Sequence, residues 1–239
     1  MSELCKWLHE QLEQLPPPIK FPFKLEQLPE NGVYFFYECG EIWGHGENKP
    51  RIVRVGTHRN GNFKSRIKEH YCLDESKMDF DKAQPKPSDR SIFRKNIGRA
   101  LLKRDNDDYL QIWEIDFIKS KNRKLFGDRR NTIKEKTIES TITKILRERF
   151  SFRFIIIDNL TERMGSKGLE SSLIGTLSHC KLCKPSEKWL GNYSPKQQIR
   201  NSGLWLVQHL KANGIKEKDK EAILNAIKRT KEWIANSSF

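Results

Sequence analysis

The chain has 239 residues, room for one large domain or two small ones, and its 45 Lys+Arg against 31 Asp+Glu leave a formal net charge of +14. Six Trp, thirteen Phe and five Tyr supply apolar area that a solvated, disordered tail lacks, and no stretch approaches the roughly 18 uninterrupted apolar residues of a membrane span. What remains is a basic globular protein whose partner is expected to be a polyanion.

Leu4, Trp7, Leu8, Leu12 and Leu15 recur at helical spacing and predict a helix over residues 3–15, stopped by Pro16–Pro17–Pro18. These residues mix charge into apolar positions, unlike a secretory signal. Gly32–Val33–Tyr34–Phe35–Phe36–Tyr37 and Arg51–Ile52–Val53–Arg54–Val55–Gly56 read as two strands of a hairpin with a long loop. A helix is predicted from Phe63 to Tyr71, then an exposed polar insertion over 73–90, then a second helix from Ser91 to Leu102. Tyr109 to Phe117 alternates and reads as a strand. Ile133, Ile138, Ile142 and Leu146 mark a third helix, and Phe152–Ile157 a buried strand. Further helices are expected near 168–180, 197–212 and 217–235. The expected architecture is α/β (α+β): a small mixed or antiparallel three-stranded sheet flanked by helices, with extra helices at both ends.

The charge is uneven. Residues 1–30 carry three Lys against five Glu, whereas Lys119 to Lys136 holds eight basic residues against Asp128 and Glu135, a net of +6. Such a run is often only a solvated face, but under so large a total charge it is a candidate phosphate-contact surface. Lys64, Lys119, Lys121, Arg123, Lys124, Arg129 and Arg130 are the candidate contacts with double-stranded DNA. Five cysteines at irregular spacing fit reduced thiols and a cytoplasmic location better than a disulfide framework.

The chemistry-bearing residues follow in order. Gly32–Val33–Tyr34 lies on the first strand and Arg54–Val55–Gly56 on the second. Arg66 and His70, four apart, share one face of the next helix, and Glu170 lies on a helix after the buried strand. Asn192 follows in Trp189–Leu190–Gly191–Asn192–Tyr193. In these residues the chain resembles the GIY-YIG nuclease family, and in the Arg-x3-His spacing and trailing Asn it is most like the restriction-endonuclease branch. The resemblance covers residues 31 to about 195. It leaves 1–30 as a helical arm, 31–195 as the nuclease domain with insertions near 73–90 and 119–136, and 196–239 as helices packed on the same domain.

The resemblance implies that Tyr34 helps to activate the attacking water and that Arg66 stabilises the scissile phosphate. It implies that Glu170 holds a divalent cation, Mg²⁺ or Mn²⁺, and that His70 and Asn192 are secondary site positions. Arg54 departs from the pattern, because the second tripeptide should begin with Tyr. Either another group supplies that hydroxyl or the guanidinium contacts phosphate. Physical chemistry fits the same roles. A hard cation needs only one or two protein carboxylates, an Arg presents a permanent planar donor fork, and a His near neutrality can share the base's task with Tyr34.

The expected function is metal-dependent DNA hydrolysis in a restriction setting, where a symmetric DNA site would call for a homodimer or two monomers acting in turn. The alternatives are a structure-specific repair or recombination nuclease, and an inactive DNA-binding module of the same fold, which Arg54 favours. Glu162 and Arg163 read as surface residues near the site. Cys180-x2-Cys183 alone is half of a zinc-ligand set, and Cys5, Cys39 and Cys72 are scattered, so the sequence by itself argues against a zinc site. Gly40, Gly44 and Gly46 with His45 lack the Gly-Lys-Ser/Thr of a phosphate loop and read as a flexible hairpin connection.

Overall fold

The computed structural model describes residues 1–237. Helix α1 (Ser2–Leu12) turns Cys5, Leu8 and Leu12 into the interior, as its apolar spacing demands. After the prolines, the two-residue strand β1 (Ile19–Lys20) pairs with the edge of β4 (Phe150–Ile155). Strands β2 (Val33–Ile42) and β3 (Pro50–Gly56) form the expected long-looped hairpin, and β4 lies beside β2. The sheet therefore has four strands in the order β1-β4-β2-β3, every neighbour antiparallel, rather than three. Ile19–Lys20 is too short to carry an alternation signal, which is why periodicity misses it.

Both faces of the sheet are covered. Val33, Phe35 and Tyr37 point into one core with α1, α9 (Leu169–Ser178) and α11 (Glu217–Asn236). Tyr34 and Phe36 point into the other with α2 (Phe63–Tyr71), α4 (Ile92–Arg104) and α7 (Thr132–Arg149). This strict alternation follows from the two-residue strand period, and it explains why β2 reads as a continuous aromatic run. Ser91 and Asn131 cap α4 and α7 by accepting from the amides of Arg94 and Lys134.

Three short helices, α3 (Pro87–Arg90), α5 (Leu110–Trp113) and α6 (Ser120–Phe126), connect the long ones, and α8 (Leu160–Arg163) and α10 (Gln197–Ser202) complete the eleven among the described residues. Two elements differ from expectation. Tyr109–Phe117 is not a strand, because Asp107 accepts from the Tyr109 amide and starts α5, and the turn carries the Trp113 indole to the Lys95 carbonyl at 3.1 Å. The helix expected over 197–212 stops at Ser202, where Gly203 adopts φ 68°, and the Trp205 amide then bonds the Val53 carbonyl at 2.8 Å. A free edge of β3 competes successfully with helix continuation.

The 73–90 segment is not simply exposed: Phe80, Lys86, Pro87 and Ser88 are buried. Lys86 Nζ bonds both Asp89 oxygens and lies over the faces of Trp113 and Phe117. Arg94 and Glu139, both fully buried, pair at 2.7 Å, and Glu139 also accepts from the Ser88 amide at 2.8 Å. Lys95 of α4 pairs with Asp89 at 3.2 Å, so the segment is fastened to α4 by a buried ion pair and to α7 by the Ser88–Glu139 hydrogen bond.

Candidate active site

Tyr34 near the start of β2 and Gly56 at the end of β3 are neighbours at the open end of the hairpin, and Glu170 reaches the same end through Thr57. Tyr34 stands opposite Gly56 in the ladder, and its ring lies across that glycine: a Cβ at Gly56 would meet the Tyr34 ring and hydroxyl at 2.5 Å. The glycine of the second tripeptide is therefore the floor on which the tyrosine of the first rests. On its other side Tyr34 packs edge-on against Phe36 and Phe63.

Tyr34 Oη and His70 Nε2 are 3.1 Å apart, and His70 Nδ1 lies 2.8 Å from Ser91 Oγ. Helix α2 places His70 there because Phe63, Ile67, His70 and Tyr71 form its buried stripe. Burial lowers the His70 pKa well below its usual value, and the guanidinium groups of Arg66, Arg54 and Arg94 push it the same way. The ring is accordingly neutral at physiological pH. Ser91 Oγ already accepts from the Arg94 amide as the α4 cap; if it also accepts from His70 Nδ1–H, Nε2 is left as an acceptor facing the phenol.

Arg66, on the exposed side of α2, is tied to the Glu69 carboxylate and donates to the Arg90 carbonyl at 3.1 Å. Arg54 is buried, donates to the Trp205 carbonyl at 2.6 Å and lies 4.8 Å over the Phe93 ring. No carboxylate forms an ion pair with it among the described residues, and burial lowers its pKa from the usual arginine value.

Glu170 arrives from the opposite layer, in the first turn of α9, and accepts from the Thr57 amide at 3.1 Å, one residue beyond the end of β3. Burial raises its pKa above the ordinary carboxylate value, opposed in part by Arg54, His209, the Thr57 amide and Arg163. Among the described residues no ion pair offsets the desolvation of this half-buried carboxylate, which suits it to a hard cation. The donor set fits such an ion through this one side chain. Asn192 is committed elsewhere: its amide donates to the carbonyls of Ser186 and Glu187, and no hydrogen bond joins it to Tyr34, Arg66, His70 or Glu170.

Two further residues shape the site. Arg163 is fully buried rather than on the surface, donating to Thr57 Oγ1, the His58 carbonyl, Asn60 Oδ1 and Asn31 Oδ1. It thereby organises the 57–60 turn that presents an amide to Glu170. His58 Nε2 accepts from the Gly32 amide at 3.2 Å, and burial lowers its pKa to about 4. Neither residue carries a local sequence signal, because each is defined by loop partners about 100 or about 26 positions away. Beside the start of α9 opens a cavity of about 770 Å³ whose lining includes Lys167, Lys211, Lys216, Lys218 and His209.

Of the basic run, Lys121, Lys124 and Arg129 are exposed, whereas Arg123 is folded onto the carbonyls of Phe117 and Ile118. Lys119 is 4.0 Å from Asp116, and Lys64 is paired with Glu30 at 2.7 Å. Arg130 does not face solvent: it is buried against Glu135 at 2.7 Å and donates to the carbonyls of Asp81, Lys82 and Gln84.

Comparison with family models matches residues 8–234 to the GIY-YIG domain. No curated protein and no solved structure matches the chain with significance. The family match spans nearly the whole chain, so the chain belongs to the GIY-YIG family. Membership implies a nuclease acting on DNA, in a family generally dependent on a divalent metal. No helix among the described residues is long and apolar enough to cross a membrane.

Proposed function

We propose, from membership of the GIY-YIG family, that this chain is a divalent-metal-dependent endonuclease that cuts a specific duplex sequence in the manner of a restriction enzyme. The observation that carries the reading is the 3.1 Å contact between Tyr34 Oη and a neutral, buried His70, with Glu170 brought to the same end of the hairpin. Tyr34 takes the proton of the attacking water while its own passes to His70 Nε2, and Ser91 holds the imidazole in place. Burial and, second to it, the cationic surroundings make His70 a weak base, and an anionic phosphate entering the site offsets the cationic part. Arg66 exchanges Glu69 for the scissile phosphate, and Arg54 supplies fixed positive potential beneath the site in place of the missing second-motif phenol. Glu170 holds the ion, Mg²⁺ or Mn²⁺, which when bound polarises the phosphoryl oxygens and offsets charge on the leaving oxyanion. The lysines around the cavity beside α9, with Lys121, Lys124 and Arg129, carry the DNA backbone. A palindromic site implies a homodimer or sequential action by monomers.

Plasmid digestion with Mg²⁺, followed by sequencing of the ends, tests this. One repeated sequence at the ends supports restriction, whereas scattered ends point to recognition of DNA structure. Glu170→Gln is expected to abolish cutting while leaving the gel shift intact, and Tyr34→Phe to slow it by about 100-fold or more. Undiminished cutting by Glu170→Gln would overturn the metal assignment.

A further inference from the structure

Besides Tyr34 and Glu170, the fold gathers a second set of chemistry-bearing side chains. Cys5 comes from α1, His45 from the β2–β3 loop, and Cys180 and Cys183 from the turn after α9. Their four ligand atoms all lie within 4.8 Å of one another. Cys5 Sγ and Cys183 Sγ are 3.7 Å apart, and Cys180 Sγ and His45 Nε2 are 3.4 Å apart. A tetrahedral zinc with bonds of about 2.3 Å to sulfur and 2.0 Å to nitrogen has S–S edges of about 3.8 Å and S–N edges of about 3.5 Å.

From this we infer that Cys5, His45, Cys180 and Cys183 form a structural Cys3His zinc site that fastens α1 and the hairpin loop to the turn after α9. On binding, the three thiols release their protons to solvent and the imidazole binds as the neutral ring, so no redox partner is involved.

The surroundings suit that task. The Cys183 amide points at Cys180 Sγ at 3.5 Å and the Gly44 amide at Cys183 Sγ at 3.4 Å, which are the backbone donors a thiolate needs when buried. Gly44 is required for the approach: a Cβ there would lie 2.0 Å from the Leu182 carbonyl oxygen. Trp43 stands beside His45 with ring centroids 5.3 Å apart. His9 is close but engaged, its Nδ1 2.8 Å from the Cys5 carbonyl and its Nε2 accepting from the Ile52 amide, so it braces the site rather than ligating. The protein supplies all four positions, which marks a structural site rather than a catalytic one, and soft thiolates exclude the hard cation that Glu170 would take. The remaining cysteines, Cys39 and Cys72, lie outside the cluster.

The protein purified under reducing conditions, without chelator, is expected to contain one zinc per chain. Its release by an organomercurial should be detectable with a chromogenic chelator. Replacement by Co²⁺ should give intense near-ultraviolet thiolate-to-metal charge transfer and the visible bands of tetrahedral cobalt. Cys183→Ser should lose the metal and lower the melting temperature, His45→Ala should weaken binding and shift the cobalt bands, and Cys39→Ser should retain full occupancy. The wild-type metal content and cobalt spectrum decide the matter even if Cys183→Ser does not fold. Substoichiometric zinc after refolding with excess Zn²⁺, a cobalt spectrum without sulfur charge transfer, or full occupancy in Cys183→Ser would each overturn the site. Glu170→Gln keeps all four ligands and should keep its zinc, so loss of nuclease activity and loss of this site are read separately.

Discussion

Arg54 stands where the second tripeptide of the family pattern has a tyrosine, and its surroundings explain neither stability nor convenience. It is buried and donates to the Trp205 carbonyl; its Nε has no hydrogen-bond partner among the described residues, and its guanidinium lies over the face of Phe93. A guanidinium desolvated on such terms is costly, and replacement by an apolar side chain of similar length is often neutral or stabilising. Arg54→Met should therefore hold or raise the urea midpoint while slowing cleavage by about 100-fold, as for loss of one electrostatic donor at a transition state. A variant that lost stability but kept full activity would show that Arg54 is structural. Tyr34, Arg66 and Glu170 were each legible as motif positions. Arg163 was not, because its burial depends on acceptors in the 57–60 turn that no spacing rule connects to it.

At the scale of elements, the site depends on one face-to-face contact between the two strands of the hairpin. The antiparallel register sets Tyr34 on Gly56, and the flat backbone of the glycine lets the ring lie close. Gly56→Ala should displace the ring, cost about 1–3 kcal/mol by overpacking, and reduce cleavage by far more than it weakens DNA binding. Urea titration and the digest, run on the same sample, check both halves. The hairpin, α2, α4, α7, α9 and α11 were legible from periodicity. Ile19–Lys20 and the stretch 203–206 were not, since both owe their extended form to sheet edges: β4 in one case, the Val53 carbonyl of β3 in the other. Tyr109–Phe117 alternates as a strand should, yet it folds as α5 because Trp113 has a place prepared against α4 at Gly98.

Across the whole molecule, the excess charge divides into two populations. Among the described residues nine Lys and Arg are buried, including Lys86, Arg94, Arg130 and Arg163, and several complete internal ion pairs rather than facing a polyanion. Arg130→Ala should cost about 3 kcal/mol by leaving the buried Glu135 with only the Tyr109 hydroxyl and Lys86 at 4.0 Å, with the loss read from thermal unfolding. Lys121→Ala and Lys124→Ala should leave stability unchanged, and each should reduce the salt slope of DNA binding by about 0.9. The buried histidines set the acid limit. The pKa values of His9 and His58 fall to about 4 and that of His70 lies below its usual 6.5, all chiefly through burial, so below about pH 6.5 the unfolded chain binds more protons. Stability contributed by keeping the three rings neutral is complete above about pH 6.5 and declines as the pH falls toward 4. Urea midpoints across that range should fall with acidification, more shallowly in His58→Gln.

The sequence by itself determined the local periodicities, the excess of positive charge, and the ordered motif Tyr34, Arg66, His70, Glu170 that points to a nuclease. Alternation and helical spacing are legible because they are properties of neighbouring residues, and the motif is legible through its resemblance to a family pattern. The tertiary structure alone decided that Glu170 meets Thr57 across 113 positions, that much of the basic charge is internal, and that Cys5 and His45 join Cys180 and Cys183. Such contacts form where two helical layers close over one sheet. Their partners are chosen by packing geometry, which sequence separation does not encode.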